Sequence, residues 1–275
     1  MAESSQSIFI TGAASGMGRA TAVLFAEKGW FVGAFDVDEE GLETLPDELG
    51  SERCVTRRLD VTDKSDYDAA VAEFARHTGG RLDLLFNNAG IGAGGWFEEV
   101  PYEVAMRVLE VNFIGVVNGV YAGIPLLKRT PNSLCFSTSS SAALFGMPRT
   151  GMYAATKFAV KGLTEALSVE LARFGSRAAD MMPAMVDTPI LDATLDYSGG
   201  EQPGVAMKKN AAPEGAMRLV QPEEVAELVW EAYGSDRVHW YIPAEMEAVV
   251  KARAAGVEPL RDQFKKTMLA DSDAG

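Results

Sequence analysis

Apolar positions along this chain follow two alternating patterns. Short runs rich in apolar, β-branched and aromatic residues read as strands over Ile8–Thr11, Phe31–Asp36, Arg53–Leu59, Leu82–Asn87, Ser133–Ser137, Arg177–Met182 and Val238–Ile242. Between them the apolar positions recur at helical spacing. Gly16–Lys28 carries Ala20, Val23, Leu24 and Ala26 in this way, and Ser65–Arg76 turns Asp66, Asp68 and Glu73 outward. Glu103–Lys128 and Met152–Arg173 are longer stretches of the same kind. Strands that are apolar almost throughout are buried on both faces, and strand–helix alternation makes their pairing parallel. Right-handed crossovers then predict an α/β fold: a single doubly wound parallel sheet of about seven strands with helices on both faces.

No repeat or linker divides the chain, so residues 1–275 are expected to form one domain. Two segments stand apart. Residues 189–219 mix Gly199, Gly200, Pro203 and Pro213 with Leu191, Leu195, Tyr197 and Met207, the composition of a functional lid. Residues 244–275 follow the last strand and place Met246, Val249 and Val250 at helical spacing, which predicts a helical extension.

Composition narrows the function classes. With 275 residues, 47% of them hydrophobic, the chain can bury a sizeable core. A net charge of -14 repels phosphate backbones and anionic lipid, so neither nucleic acid nor a membrane is expected as partner. Cys54 and Cys135 lie in separate apolar stretches and read as reduced, buried residues. The two histidines, His77 and His239, have no neighbours at metal-ligand spacing, so no metal site is expected, and a Ser-His-Asp hydrolase is hard to build. The N-terminus shows no basic segment followed by a long apolar one, which predicts a cytoplasmic protein.

The chemistry begins where the first strand meets Gly12, Gly16 and Gly18 in TGAASGMG. A glycine turn between a strand and a helix lets the backbone approach a pyrophosphate and aims the helix N-terminus at it. Asp36 ends the second strand, where a carboxylate accepts both hydroxyls of an adenosine ribose and repels a 2′-phosphate. No Arg or Lys adjoins it in sequence, and Ser15 stands where a basic residue often helps hold that phosphate; both point to NAD rather than NADP. Asp60 ends the third strand and could bond the adenine amino group or cap the Ser65 helix. Asn87 and Gly90 at the end of the fourth strand could shape the sheet edge near the ribose.

Tyr153 and Lys157 stand one helical turn apart, so hydroxyl and ammonium share a face, and a nearby cation lowers a phenol's pKa toward the range useful for proton transfer. Ser137, Ser139, Ser140 and Ser141 end the fifth strand, where a hydroxyl can donate to a developing alkoxide.

TGAASGMG, Asn87-Asn88-Ala89-Gly90 and Tyr153-Ala154-Ala155-Thr156-Lys157 together resemble the cofactor, fourth-strand and catalytic motifs of the short-chain dehydrogenase/reductase family, over about residues 7 to 245. The resemblance implies hydride transfer between NAD(H) and a secondary alcohol or ketone. It makes Tyr153 the acid/base and selects Ser140, 13 residues before it, to orient the carbonyl. Lys157 then lowers the Tyr153 pKa and holds the nicotinamide ribose, while Asn112 anchors a proton-relaying water. Pro183 and Thr188 match the family's nicotinamide contacts; Ala184 replaces a family glycine. With Tyr153 and Lys157, the cofactor surface expected is Gly12, Ser15, Gly16, Met17, Gly18, Asp36, Val37, Asp60, Val61, Asn88, Ala89, Gly90, Pro183, Val186 and Thr188. Phe145, Met147, Met152, Met185, Leu191 and Leu195 are the expected walls of an apolar substrate pocket. Family members often form oligomers through a Gly-rich last strand. Here that strand continues into the extension, and a homo-oligomer, dimer or tetramer, is expected. A β-ketoacyl-thioester reductase and a non-catalytic NAD(H)-binding regulator are the competing readings.

Overall fold

A computed structural model describes residues 5–199, 208–209, 211–253 and 256–268. Seven strands form one parallel sheet: β1 (Ser7–Thr11), β2 (Phe31–Asp36), β3 (Cys54–Arg58), β4 (Leu84–Asn87), β5 (Leu134–Thr138), β6 (Arg177–Pro183) and β9 (His239–Ile242), in the order β3-β2-β1-β4-β5-β6-β9. A further pair, β7 (Met185–Val186) and β8 (Leu219–Val220), lies outside it. The helices are α1 (Gly16–Glu27), α2 (Glu39–Glu43), α3 (Leu45–Leu49), α4 (Lys64–Thr78), α5 (Tyr102–Leu109), α6 (Gly115–Leu127), α7 (Gly151–Glu170), α8 (Pro189–Ala193), α9 (Pro222–Tyr233), α10 (Met246–Arg253) and α11 (Glu258–Met268). The expected doubly wound α/β sheet is the fold observed. The short helices α2 and α3 are additions that the periodicity did not mark, since each spans little more than one turn.

Two apolar layers hold the sheet. On one face Ile8, Ile10, Phe86 and Phe136 pack with Phe25 of α1, with Trp30 just before β2, and with Val225 and Val229 of α9. On the other, Phe9, Phe35 and Leu85 pack with Tyr67 and Phe74 of α4 and with Val120 and Val160. Phe9 and Phe35 stack with ring centroids 4.0 Å apart, and each such fully buried ring contributes about 1.5–3 kcal/mol by leaving water. Helix ends are set locally: Asp63 Oδ1 accepts from the Ser65 and Asp66 amides at 2.8 and 3.1 Å, and left-handed Gly79 (φ +62) stops α4. The cap of this helix is therefore Asp63 and not Asp60, which leaves Asp60 for another task.

Residues 102–127 run as one rod broken by a π turn at Glu110–Ile114. This rod is long and apolar enough to cross a membrane, but 56% of its most apolar stretch is buried, against α4, α7, β4 and β5. Its apolarity belongs to the core. Strand order reverses between β1 and β4, and the carboxyl ends there open a crevice, the usual place for a ligand in such sheets.

Candidate active site

The crevice is a groove of about 370 Å³ along the carboxyl edge of the sheet. Its floor is the glycine turn. Gly12 and Gly16 take left-handed φ of +67 and +52, and a Cβ on Gly18 would lie 2.0 Å from the Gly12 carbonyl oxygen. Gly18 lets α1 press against the turn and does not itself face the groove; its expected contact with the cofactor is corrected to a packing role. The Ser15 side chain accepts none of the first-turn amides of α1, so they point at the groove beside Ser15, Gly16 and Met17.

Asn88 ties three strand ends together. Its amide nitrogen donates to the Thr11 and Gly12 carbonyls at 3.1 and 3.2 Å, and its oxygen accepts from the Thr138 hydroxyl at 3.1 Å. Asn88, Ala89 and Gly90 line the groove, whereas Asn87 faces the opposite layer, where its oxygen accepts from the Tyr67 hydroxyl at 3.0 Å. The alternation of a strand decides this: neighbours in sequence point to opposite faces.

Asp36 and Val37 line one end of the groove. Asp36 Oδ2 accepts from the Ala14 amide at 3.0 Å and Oδ1 from the Asp38 amide at 3.1 Å, so the carboxylate also holds the glycine turn in shape. Asp60 and Val61 line the same end. Asp60 accepts from the Thr62 amide and hydroxyl at 3.0 and 2.7 Å and from Arg107 at 3.2 Å. Burial works to raise its pKa, but these bonds and the Arg107 charge together hold it below the ordinary carboxylate value. Arg107, also in the groove wall, comes from α5, 47 residues away in sequence, and carries no local motif that marks it.

At the other end Pro183, Val186 and Thr188 line the groove as expected, and Ala184 joins them. Thr188 packs over the turn: a Cβ on Gly16 would lie 2.8 Å from its methyl carbon. Tyr153 and Lys157 project from α7 into the middle. The Lys157 ammonium donates to the Thr138 carbonyl at 2.8 Å and lies 5.5 Å from the Tyr153 ring centroid. Ser139 is excluded as the site hydroxyl because it donates to the Lys157 carbonyl at 2.9 Å. Ser140 and Tyr153 line the groove together, and the Ser140 oxygen accepts from the Ala142 amide at 3.1 Å.

The expectation that Lys157 depresses the Tyr153 pKa is reversed in the protein's own field. Burial pushes the Tyr153 hydroxyl up, partly offset by the Ser140 hydroxyl, and burial pulls Lys157 down to about 8. Desolvation penalises both charged forms. Asn112 sits in the π turn with its side chain committed: its oxygen accepts from the Ile91 amide at 2.8 Å, and its nitrogen donates to the Ile91 carbonyl at 2.9 Å. It braces the loop after β4 directly beside Gly90 and Lys157.

A second cavity, about 160 Å³, opens from the groove and shares Ser140, Tyr153, Ala184, Ile190 and Leu191 with it. Met147, Met185 and Leu191 line it as expected. The other three expected walls do not. Phe145 packs with Leu144, Met182 and Met246, Met152 is partly buried away from the cavity, and Leu195 is 52% exposed. Gly92, Ala93, Thr150, Ile190, Thr194 and Met217 take those places; they come from segments far apart in sequence, and none belongs to a recognisable motif. Among the described residues, none that lines this cavity is charged. Among the described residues no His, Cys, Asp and Glu cluster could hold a metal ion.

The expected lid is anchored at both described ends. Thr188 leads into α8, the Asp187 amide donates to the Val220 carbonyl at 2.9 Å, and β7 pairs with β8. Residues 200–207 and 210, with Gly200, Pro203 and Met207, lie outside the described residues, as do 254–255 and 269–275 of the expected extension. Within that extension Met246 is buried and closes the cluster behind Phe145 and Ala184.

Comparison with known proteins identifies the family. The family profile described as short chain dehydrogenase matches residues 6–197. Oxidoreductase UcpA of Salmonella typhimurium is 35% identical over 222 residues, covering 80% of this chain and 84% of that protein. Cyclohexanol dehydrogenase of an Acinetobacter species is 35% identical over 224 residues, again 80% of this chain and 84% of the relative. A short chain dehydrogenase/reductase from Burkholderia phymatum, solved in complex with NAD, superposes with a TM-score of 0.81 at 30% identity, covering 94% of this chain and 97% of that one.

Proposed function

The chain belongs to the short-chain dehydrogenase family, and on that premise we propose that it interconverts a compact, uncharged secondary alcohol and its ketone with NAD(H), Tyr153 serving as acid/base. The observation that carries this reading is the meeting of the two cavities at Ser140 and Tyr153, on a wall that Ala184, Ile190 and Leu191 complete.

Bound NAD+ supplies the acceptor for the hydride that leaves the carbinol carbon. The chain's own residues do the rest. In oxidation the Tyr153 oxygen takes the hydroxyl proton while Ser140 donates to the same substrate oxygen; in reduction the proton returns from Tyr153. Lys157, whose pKa sits at about 8, passes protons near physiological pH and has donors to spare for a ribose hydroxyl. Asn112 holds the wall at Gly90 against Lys157. Gly12, Ser15, Gly16, Met17, Thr188 and Val186 cradle the dinucleotide, with Asp60, Val61 and Arg107 around the adenine. Asp36 on the ribose favours NAD over NADP, because a 2′-phosphate would meet a carboxylate at that place.

The described part of the 189–219 segment acts as a cover of the substrate cavity, to which Ile190, Leu191, Thr194 and Met217 contribute. The small, uncharged cavity speaks for a compact alcohol over an acyl-carrier thioester, and a Ser–Tyr–Lys group has no use in a silent NAD(H) sensor. Tyr102 on α5, Tyr121 on α6 and Val169 on α7 are 72%, 69% and 71% exposed, the apolar surface that a homo-oligomer would cover. Two unpaired cysteines suit a reducing compartment such as the cytoplasm.

The test is a screen of NADH formation from NAD+ across aliphatic, alicyclic, aromatic, steroid and polyol alcohols. The reading predicts turnover of compact neutral alcohols. NAD(H) binding without turnover of any of them would overturn it.

A further inference from the structure

Resting on the reading above, we propose that the Arg149–Asp196 ion pair is a latch that fixes the outer wall of the substrate cavity and sets its size limit, which makes Arg149 a positioning residue for the reaction. Three segments distant in sequence converge there: the loop after β4, the loop before α7 and the chain after α8. The Gly94 amide donates to the Leu195 carbonyl at 2.9 Å and the Tyr197 amide to the Gly94 carbonyl at 2.8 Å, a parallel bridge between loop and cover. The Gly95 amide donates to the Arg149 carbonyl at 2.8 Å, and the Trp96 amide to the Ser198 hydroxyl at 2.7 Å. Across this junction Arg149 Nη2 meets Asp196 Oδ2 at 2.5 Å, while Asp196 Oδ1 accepts from the Ser198 amide at 2.9 Å. The Arg149 guanidinium also lies 5.9 Å from the Trp96 ring centroid.

Arg149 holds this place against two penalties. Its backbone is left-handed (φ +66), a conformation that side chains with a Cβ rarely adopt, and its Nε is buried with no acceptor among the described residues. Strain retained in this way points to a function for the residue. Neither partner of the pair lines the cavity, but their neighbours do: Gly92 and Ala93 from the first segment, Met147 and Thr150 from the second, Thr194 from the third. The Asp196 side chain is only 2% exposed, so without Arg149 its charge has to find water, and the chain after α8 has to swing outward to reach it. The wall then loosens and the cavity admits larger alcohols, while the dinucleotide groove, built from other residues, stays as it is.

Arg149→Asn tests this, because asparagine tolerates the left-handed backbone while removing the guanidinium that reaches Asp196 and Trp96; Arg149→Lys keeps the charge. Hydrogen exchange is the first measurement. The latch predicts that Arg149→Asn speeds exchange at the Gly94, Trp96 and Tyr197 amides roughly tenfold or more, that the β1 amides stay unchanged, and that Arg149→Lys remains close to the parent. Unchanged exchange at those three amides in Arg149→Asn would overturn the latch. Kinetics with cyclohexanol and 4-tert-butylcyclohexanol are the second measurement. Arg149→Asn is expected to raise KM for the compact alcohol roughly tenfold with little change in kcat and NADH affinity, and to improve the bulky-to-compact preference, with partial rescue by Arg149→Lys. An unaltered preference would contradict the size-limit role. Absence of turnover in the parent enzyme would instead sink the oxidoreductase reading, and the exchange measurement would still decide the latch.

Discussion

Replacing Asp36 with asparagine removes the charge on which the proposed preference for NAD rests. Asp36→Ala would confound the result: it would leave the nearly buried Ala14 amide without its 3.0 Å acceptor, at about 1–3 kcal/mol, and disturb the glycine turn itself. Asparagine keeps its one oxygen as acceptor for the Ala14 amide; it gives up the charge and the acceptor for the exposed Asp38 amide, which water can replace. A 2′-phosphate on the ribose that Asp36 faces would lie roughly 4 Å from the carboxylate, so each phosphate charge is repelled by about 1 kcal/mol in a water-like surrounding and about 4 kcal/mol at an effective dielectric near 20. Asp36 is partly exposed, which places it toward the lower figure. The ratio of kcat/KM for NADP+ over NAD+ should therefore rise about tenfold to a hundredfold in Asp36→Asn. The assay is initial-rate kinetics with both cofactors at low ionic strength and again in salt, since screening should shrink the effect. A parent enzyme that prefers NADP+, or a variant whose ratio does not move, would refute the assignment.

Two further perturbations probe the frame around the site. Gly18→Ala should lower Tm by roughly 3–10 °C and weaken NADH binding, because its Cβ meets the Gly12 carbonyl oxygen at 2.0 Å and overpacking of that kind costs about 1–3 kcal/mol; a Tm within a degree of the parent would contradict the close approach. His239 lies between Asp180 and Glu165, at 2.8 and 3.1 Å, with Lys161, Tyr241 and Arg237 as the other ionisable groups around it. The Asp180 bond holds its pKa above the ordinary histidine value. Its contribution to stability is therefore fully present below about pH 6.5 and lost as pH rises through the raised value. Urea midpoints of His239→Gln and the parent should converge above that pKa and diverge below it; a gap independent of pH would rule out the charged pair.

What could be read from the sequence was what is encoded locally. Strand and helix periods, the glycine turn, Asp36 at a strand end and the Tyr153–Lys157 spacing each lie within one element and its neighbours, and each appears where it was expected. The substrate cavity was only half legible. Met147, Met185 and Leu191 were found, but Phe145, Met152 and Leu195 are just as apolar and turn elsewhere, because the direction of a loop side chain is fixed by what packs behind it. Arg107, Thr194 and Met217 reach the site only through the fold. Burial, which drives Tyr153 up and Lys157 down, depends on the enclosing wall and has no mark in the four-residue spacing that first drew attention to the pair.

The claim at the centre of this account is that the Tyr153 hydroxyl moves the proton at the junction of the two cavities. Single-turnover oxidation of a compact alcohol by Tyr153→Phe, with NADH affinity measured in parallel by fluorescence titration, tests it most directly. Loss of an acid/base contributing typically 10²–10⁴-fold predicts a fall of at least that size in the chemical step, with NADH bound almost as tightly as by the parent. A Tyr153→Phe enzyme that turns over its alcohol at the parent rate would contradict the account.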